Sequence, residues 1–182
     1  TGLGLFGGQL YLDVKARLAD HLLARALAAT LDEGRPQRPW PGADLKVLGA
    51  LELPGPGLVR PVLSGAGGGS LAFGAGHVSG SALPGQRGRC AIAGHRDRAF
   101  RCLSELILGD EVKLRAPGGT RSFKVVGHSV VDESETWVTE PLLGDGLTLI
   151  TCWPFGGLRP GPKRYVVFCE PIPDPDGAST ET

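Results

Sequence analysis

At 182 residues, with 19 Lys plus Arg against 19 Asp plus Glu, the chain is long enough to bury a core without staples, and no overall field calls for nucleic acid or an anionic membrane. Its 29 glycines and 15 prolines argue against a helical bundle and for short strands joined by many turns. The four cysteines, at 90, 102, 152 and 169, lack the CxxC spacing of a zinc site or a thioredoxin-like pair and form no disulfide framework by count.

In chain order, Gln9 to Thr30 carries the longest helical pattern, with Leu10, Val14, Leu18 and Leu22 recurring every fourth residue. This predicts an amphipathic surface helix, or a segment joining the domain to an anchor upstream. Residues 33–43, with Gly34, Pro36, Pro39, Pro41 and Gly42, read as a linker, so that residues 1–43 precede a compact domain over 44–172. From Leu45 the pattern turns to short strands. Leu45 to Leu53 and Leu58 to Leu63 flank the turn Pro54-Gly55-Pro56-Gly57, and Gly65 to Gly80 reads as a glycine-rich loop or short helical turn holding His77. A lone histidine in such a loop is ordinarily solvated.

Gly88 to Gly94 is a short apolar strand closed by glycine. His95 follows it, and Phe100, Leu103, Leu106 and Ile107 then predict a short helix ending at Gly109. Strands resume over Glu111 to Arg115 and Ser122 to Val131. After Gly-Asp-Gly, Leu147 to Thr151 forms a strand that is expected to stop at Cys152, because Pro154 cannot donate a ladder hydrogen bond. The last strand is Arg164 to Cys169, reached through the loop 153–163, and residues 173–182 read as a disordered tail. Strands do not alternate with crossover helices. The fold class is therefore mainly β, a mostly antiparallel barrel or sandwich.

The chemistry centres on Cys152. A thiol at a strand end can be held rigidly and still be reached, although an unpaired cysteine is most often a small buried hydrophobe. Nucleophilic use needs a cation or base nearby and donors for an oxyanion. His95 and Arg164 both adjoin predicted strand ends and are the candidates for these tasks. A metal centre from His77, His95, Cys90 and Cys152 follows no structural zinc spacing, and Asp132, Glu133 and Glu135 read as a solvated turn rather than a calcium site. No cofactor and no metal are expected.

Ala-Gly-His-Arg-Asp at 93–97, Thr-Leu-Ile-Thr-Cys at 148–152 and Arg-Tyr-Val-Val at 164–167 together resemble the sortase family of cysteine transpeptidases. The likeness runs from about Leu45 to Glu170. Arg-Pro-Trp-Pro at 38–41, Leu-Ala-Phe-Gly-x-Gly-His at 71–77, Gly-Ser-Ala-Leu-Pro-Gly at 80–85 and Thr-Cys-Trp-Pro-Phe at 151–155 are similar to the class GN sortases of Gram-negative bacteria. Cys90, Cys102 and Cys169 depart from the pattern, and Arg98 stands where threonine is expected.

The resemblance implies a closed β-barrel of about eight strands, with a short helix after His95 and an N-terminal amphipathic helix. It implies acyl transfer in which Cys152 is the nucleophile, His95 the proton donor and acceptor, and Arg164 the oxyanion or substrate-backbone ligand. The partner implied is a protein with a C-terminal sorting signal of Leu-Pro-x-Thr-Gly type, the amine acceptor being unspecified. Anchoring to the inner membrane through a segment missing from this chain, facing the periplasm, belongs to the same expectation. With no Met at position 1 or elsewhere, the chain reads as a trimmed or recombinant piece of a longer one. A cysteine hydrolase with water as acceptor, and a binding module in which Cys152 is buried packing, stay open.

Overall fold

The computed structural model describes residues 3–53, 55, 57–140, 143–157 and 161–173. The predicted turn residues Pro54 and Pro56, the loop residues 158–160 and the predicted tail over 174–182 lie outside the described residues. Eight strands close into a barrel: β1 (Val47–Leu53), β2 (Leu58–Leu63), β3 (Ala75–His77), β4 (Arg89–Ala93), β5 (Glu111–Ala116), β6 (Gly119–Asp132), β7 (Gly146–Trp153) and β8 (Lys163–Pro171). Around the barrel they run β1-β2-β3-β4-β7-β8-β6-β5.

Most neighbours are antiparallel, but β2 pairs parallel with β3 and β4 parallel with β7. A parallel pair needs a long crossover. The connection from β4 to β7 is supplied by the whole β5–β6 hairpin and its flanking loops.

The short helix expected after His95 is a single 3-10 turn, Arg101–Ser104, at the end of a run of turns. Phe100, Leu103 and Leu106 are buried as the apolar spacing requires, whereas Ile107 is exposed. The stretch read as a loop or short helical turn holds a short helix, α2 (Gly68–Phe73), and also the three-residue β3, which the sequence pattern does not predict.

The long helix, α1 (Leu3–Asp32), is present, but a different stripe packs. Leu23, Ala26 and Leu27 meet Leu45, Val47 and Leu63 in a small satellite core. Val14 and Leu18, from the predicted stripe, are more than half exposed. Thr30 is fully buried on the packed face, donating to the Ala26 carbonyl (2.7 Å) and accepting from the Gln37 amide (3.1 Å). The proline-rich stretch that follows is tied down as well: Trp40 meets Phe73 edge-on at 5.3 Å, and Gln37 bridges to Val47. Among the described residues no helix is long and apolar enough to cross a membrane.

The barrel interior is filled by Leu51, Leu53, Ile92, Leu114, Phe123, Leu147, Leu149 and Val167, all with almost no exposure. Cys90 and Cys169 flank Leu147 from the two adjacent strands, in the same inward row. Burial pushes both thiols up from the ordinary 9.0 to about 12. Their folded values exceed the unfolded ones, so above pH ~9 the unfolded chain releases protons that the native protein keeps, and stability falls as pH rises towards about 12. The urea midpoint is therefore expected to drop between about pH 8 and about pH 10.5, and Cys90→Val with Cys169→Val to flatten that dependence. An unchanged slope in the double variant would assign the alkaline loss to other groups.

Candidate active site

β7 runs one residue past Cys152, to Trp153, so Cys152 lies at the end of its strand as expected and still pairs with Arg164 of β8 inside the ladder. Alternation along β7 decides its direction. Leu147 and Leu149 face the barrel interior, so Thr148, Ile150 and Cys152 face outward. Paired residues share a face, which sets Arg164 beside Cys152 on the outside, with antiparallel Cα separations of about 4.5–5.5 Å.

The other neighbour of β7 supplies His95. The parallel register runs from Arg89↔Gly146 to Ala93↔Ile150. Past the end of β4 the two chains stay stitched: the Gly94 amide donates to the Ile150 carbonyl (3.0 Å), and the buried Thr151 hydroxyl donates to the Gly94 carbonyl (2.7 Å). His95 follows Gly94 directly, at the position that the same 57-residue offset matches to Cys152. Cys90 and Ile92 point into the barrel, whereas His95, two residues past the end of β4, is exposed. At Gly94 the chain passes close over Phe100, since a Cβ there would lie 2.7 Å from the ring. The Phe100 amide in turn donates a hydrogen bond to the His95 carbonyl (3.0 Å).

His95, Cys152 and Arg164, separated by 57 and 12 positions in sequence, thus form the candidate row: Cys152 and Arg164 pair across β7 and β8, and His95 lies two residues past the end of β4, next to Gly94, which is bonded to Ile150 and Thr151. His95 is exposed, while Cys152 and Arg164 are half-buried. The row is walled on one side by the β6–β7 connection. Its 3-10 turn, Thr136–Thr139, buries Val138 against Val131 and Val166, with Ile150 and Phe168 at the margin, and Trp137 stacks on Phe168 at 5.9 Å. Beyond Cys152, Trp153 and Phe155 pack with Tyr165 and close the end of the barrel.

Of the four thiols only Cys152 is reachable; Cys90, Cys102 and Cys169 are 2%, 5% and 0% exposed. A binding module with Cys152 as buried packing does not match this geometry. His77 is not solvated either. It is buried, its Nε2 bonded with the Ala82 carbonyl (3.0 Å) and the Ser81 hydroxyl (3.1 Å), and it holds the turn after β3 in place. Cys90 lies inside the barrel, so the four residues of the weak metal reading do not converge; among the described residues no other cluster fit for a metal appears.

Glu133 lies exposed in the solvated turn that the sequence predicts, and from there it reaches Arg164. Its carboxylate accepts from Arg164 Nη2 at 2.5 Å, while Arg164 Nη1 donates to the Gly161 carbonyl at 2.9 Å. Asp132 beside it is held below the usual carboxylate range by hydrogen bonds from the Ser134 amide and hydroxyl. Arg89, at the start of β4, is remote from the row at the far end of the strand. It is buried and committed to the Leu143 carbonyl (3.0 Å) and Thr148 (3.3 Å), and burial lowers its pKa.

A family model described as "Sortase domain" matches residues 51–172, which include the entire row. The chain belongs to the sortase family. Sortase D of Bacillus subtilis (strain 168) is 33% identical over 121 residues, 66% of this chain and 61% of that relative. The chain therefore spans less than two thirds of that relative's length. Among solved structures, sortase A from Corynebacterium diphtheriae superposes with a TM-score of 0.65 at 28% identity, covering 74% of this chain and 65% of the other. A Clostridium perfringens sortase D5 transpeptidase gives 0.62 at 26% identity, covering 70% and 79%. The closed eight-stranded barrel is the sortase fold, as the sequence resemblance implied.

Proposed function

We propose that this chain is a cysteine transpeptidase. The Cys152 thiolate attacks a backbone carbonyl in a sorting signal of Leu-Pro-x-Thr-Gly type, forming a C–S bond and a tetrahedral oxyanion. Collapse breaks the C–N bond, His95 gives its proton to the departing amine, and a thioester remains on Cys152. An incoming amine, deprotonated by His95, attacks the thioester and releases the thiolate. Arg164 donates to the oxyanion. What supports the reading is that the reachable thiol pairs across the ladder with Arg164, while His95 directly follows Gly94, which is hydrogen-bonded to Ile150 and Thr151 of the same strand.

The catalytic unit is taken as residues 44–172. The motifs at 38–41, 71–77, 80–85 and 151–155 support the class GN assignment, although the relatives named above are sortases A and D. With that assignment go an inner-membrane anchor outside this chain and a periplasmic site of action.

The test is incubation with a library of Leu-Pro-x-Thr-Gly-type peptides, with and without triglycine or hydroxylamine, followed by mass spectrometry. The expected result is a Cys152 adduct lacking the fragment after the cleaved bond, and a ligated product once amine is present. Cleavage with only the free acid as product, amine or not, assigns a hydrolase. Absence of any adduct or cleavage across the library overturns the proposal.

A further inference from the structure

Arg96 follows His95 directly, yet its side chain turns inward and is 7% exposed. A guanidinium removed from water needs partners, and those of Arg96 lie on another segment. Nη1 donates to the Pro154 carbonyl at 2.8 Å and Nη2 donates to the Gly157 carbonyl. Nε faces the Asp97 carboxylate at 3.4 Å, an exposed partner. The loop backbone is pressed against the fork, since a Cβ at Gly157 would lie 3.0 Å from Nη1.

The chain positions give these bonds their meaning. His95 is one residue before Arg96, and Cys152 is two residues before Pro154. The Gly94–Thr151 hydrogen bond holds the two segments together before the row, and Arg96 holds them together after it. A planar fork on two carbonyls three residues apart fixes both distance and angle, which a single ammonium cannot do. We propose that Arg96 is a positioning residue that sets the geometry between His95 and Cys152 by locking the β4 turn to the loop leaving β7. The inference rests on the catalytic reading of that pair. Displacement of a catalytic group by about 1 Å can cost on the order of 10²-fold in rate, so a strut here has leverage without touching substrate.

A double-mutant cycle separates positioning from general stabilisation. The readout is the rate at which iodoacetamide modifies Cys152, followed by peptide mass spectrometry on the full chain, with thermal unfolding recorded for each variant. His95→Ala is expected to slow labelling, and Arg96→Ala to slow it by about tenfold or more. In the His95→Ala background, Arg96→Ala is expected to add less than about twofold, because the partner it positions is gone. Equal slowing in both backgrounds, or faster labelling of Arg96→Ala, overturns the inference. Labelling of His95→Ala at the native rate defeats the reading of the His95–Cys152 pair itself, whatever Arg96 does. If Arg96→Ala does not fold, Arg96→Lys carries the test: slowed labelling in a folded protein supports the strut, and native-rate labelling overturns it.

Discussion

Cys152→Ala is expected to abolish both the covalent peptide adduct and the single iodoacetamide-reactive site of the native protein. The expectation is all-or-none because no second thiol can take over. Cys90 and Cys169 are enclosed in the barrel, and with pKa values pushed to about 12 their thiolate fraction at neutral pH is about a thousandfold below that of an ordinary thiol. Cys102 is buried in the 3-10 turn after His95, and burial raises its pKa too. The measurement is intact-protein mass after brief treatment with reagent or sorting-type peptide: native protein gains one adduct, Cys152→Ala none, and unfolding in urea exposes the remaining three thiols. An adduct of the same mass on folded Cys152→Ala would mean that another thiol is the nucleophile.

How much of this could be read from the chain depended on whether the cause was local. Strand cores such as Leu58 to Leu63 declare themselves through composition and turn residues, and the outlines of β2, β4 and β5 follow. The end of β7 is legible to within one residue: Pro154 forbids a ladder donor at its own position, and pairing with Lys163 and Arg164 carries the strand through Trp153. β3 is three residues long and hidden among glycines, so alternation had nothing to act on. In α1 the stripe of larger residues, Val14 and Leu18, outweighed the smaller Ala26 and Thr30 that lie against β1, since which face packs is settled by the barrel and not by the helix.

The site shows the same division. Cys152 and its twelve-residue step to Arg164 are visible because an antiparallel neighbour follows closely in sequence. The placement of His95 beside the end of β7 depends on a parallel register between β4 and β7 that no local pattern records. Motif resemblance named His95, Cys152 and Arg164 without this geometry. It did not reach Glu133 or Arg96, because their parts in the site consist of contacts to Arg164 and to the carbonyls of residues 154 and 157.

Arg164→Ala is expected to lower the rate of adduct formation by about two to three decades, the loss of one oxyanion donor being worth on the order of 2.7–4 kcal/mol. Arg164→Lys should recover only part of it, because an ammonium lacks the planar fork. The contact with Glu133 raises an objection, since a carboxylate that holds the guanidinium competes with substrate for it. Magnitudes answer it. The pair is open to solvent, with side chains 28% and 53% exposed, and an ion pair of that kind contributes about 0–1 kcal/mol. A developing oxyanion beside Cys152 competes with several times that energy, so Glu133 can orient Arg164 at rest without withholding it during reaction. Glu133→Gln keeps the shape and an acceptor while removing the charge, and it is accordingly expected to change the single-turnover rate by less than about tenfold. A Glu133→Gln loss as large as that of Arg164→Ala would make the carboxylate an essential partner of the arginine. A large gain would instead identify the ion pair as a brake on the site.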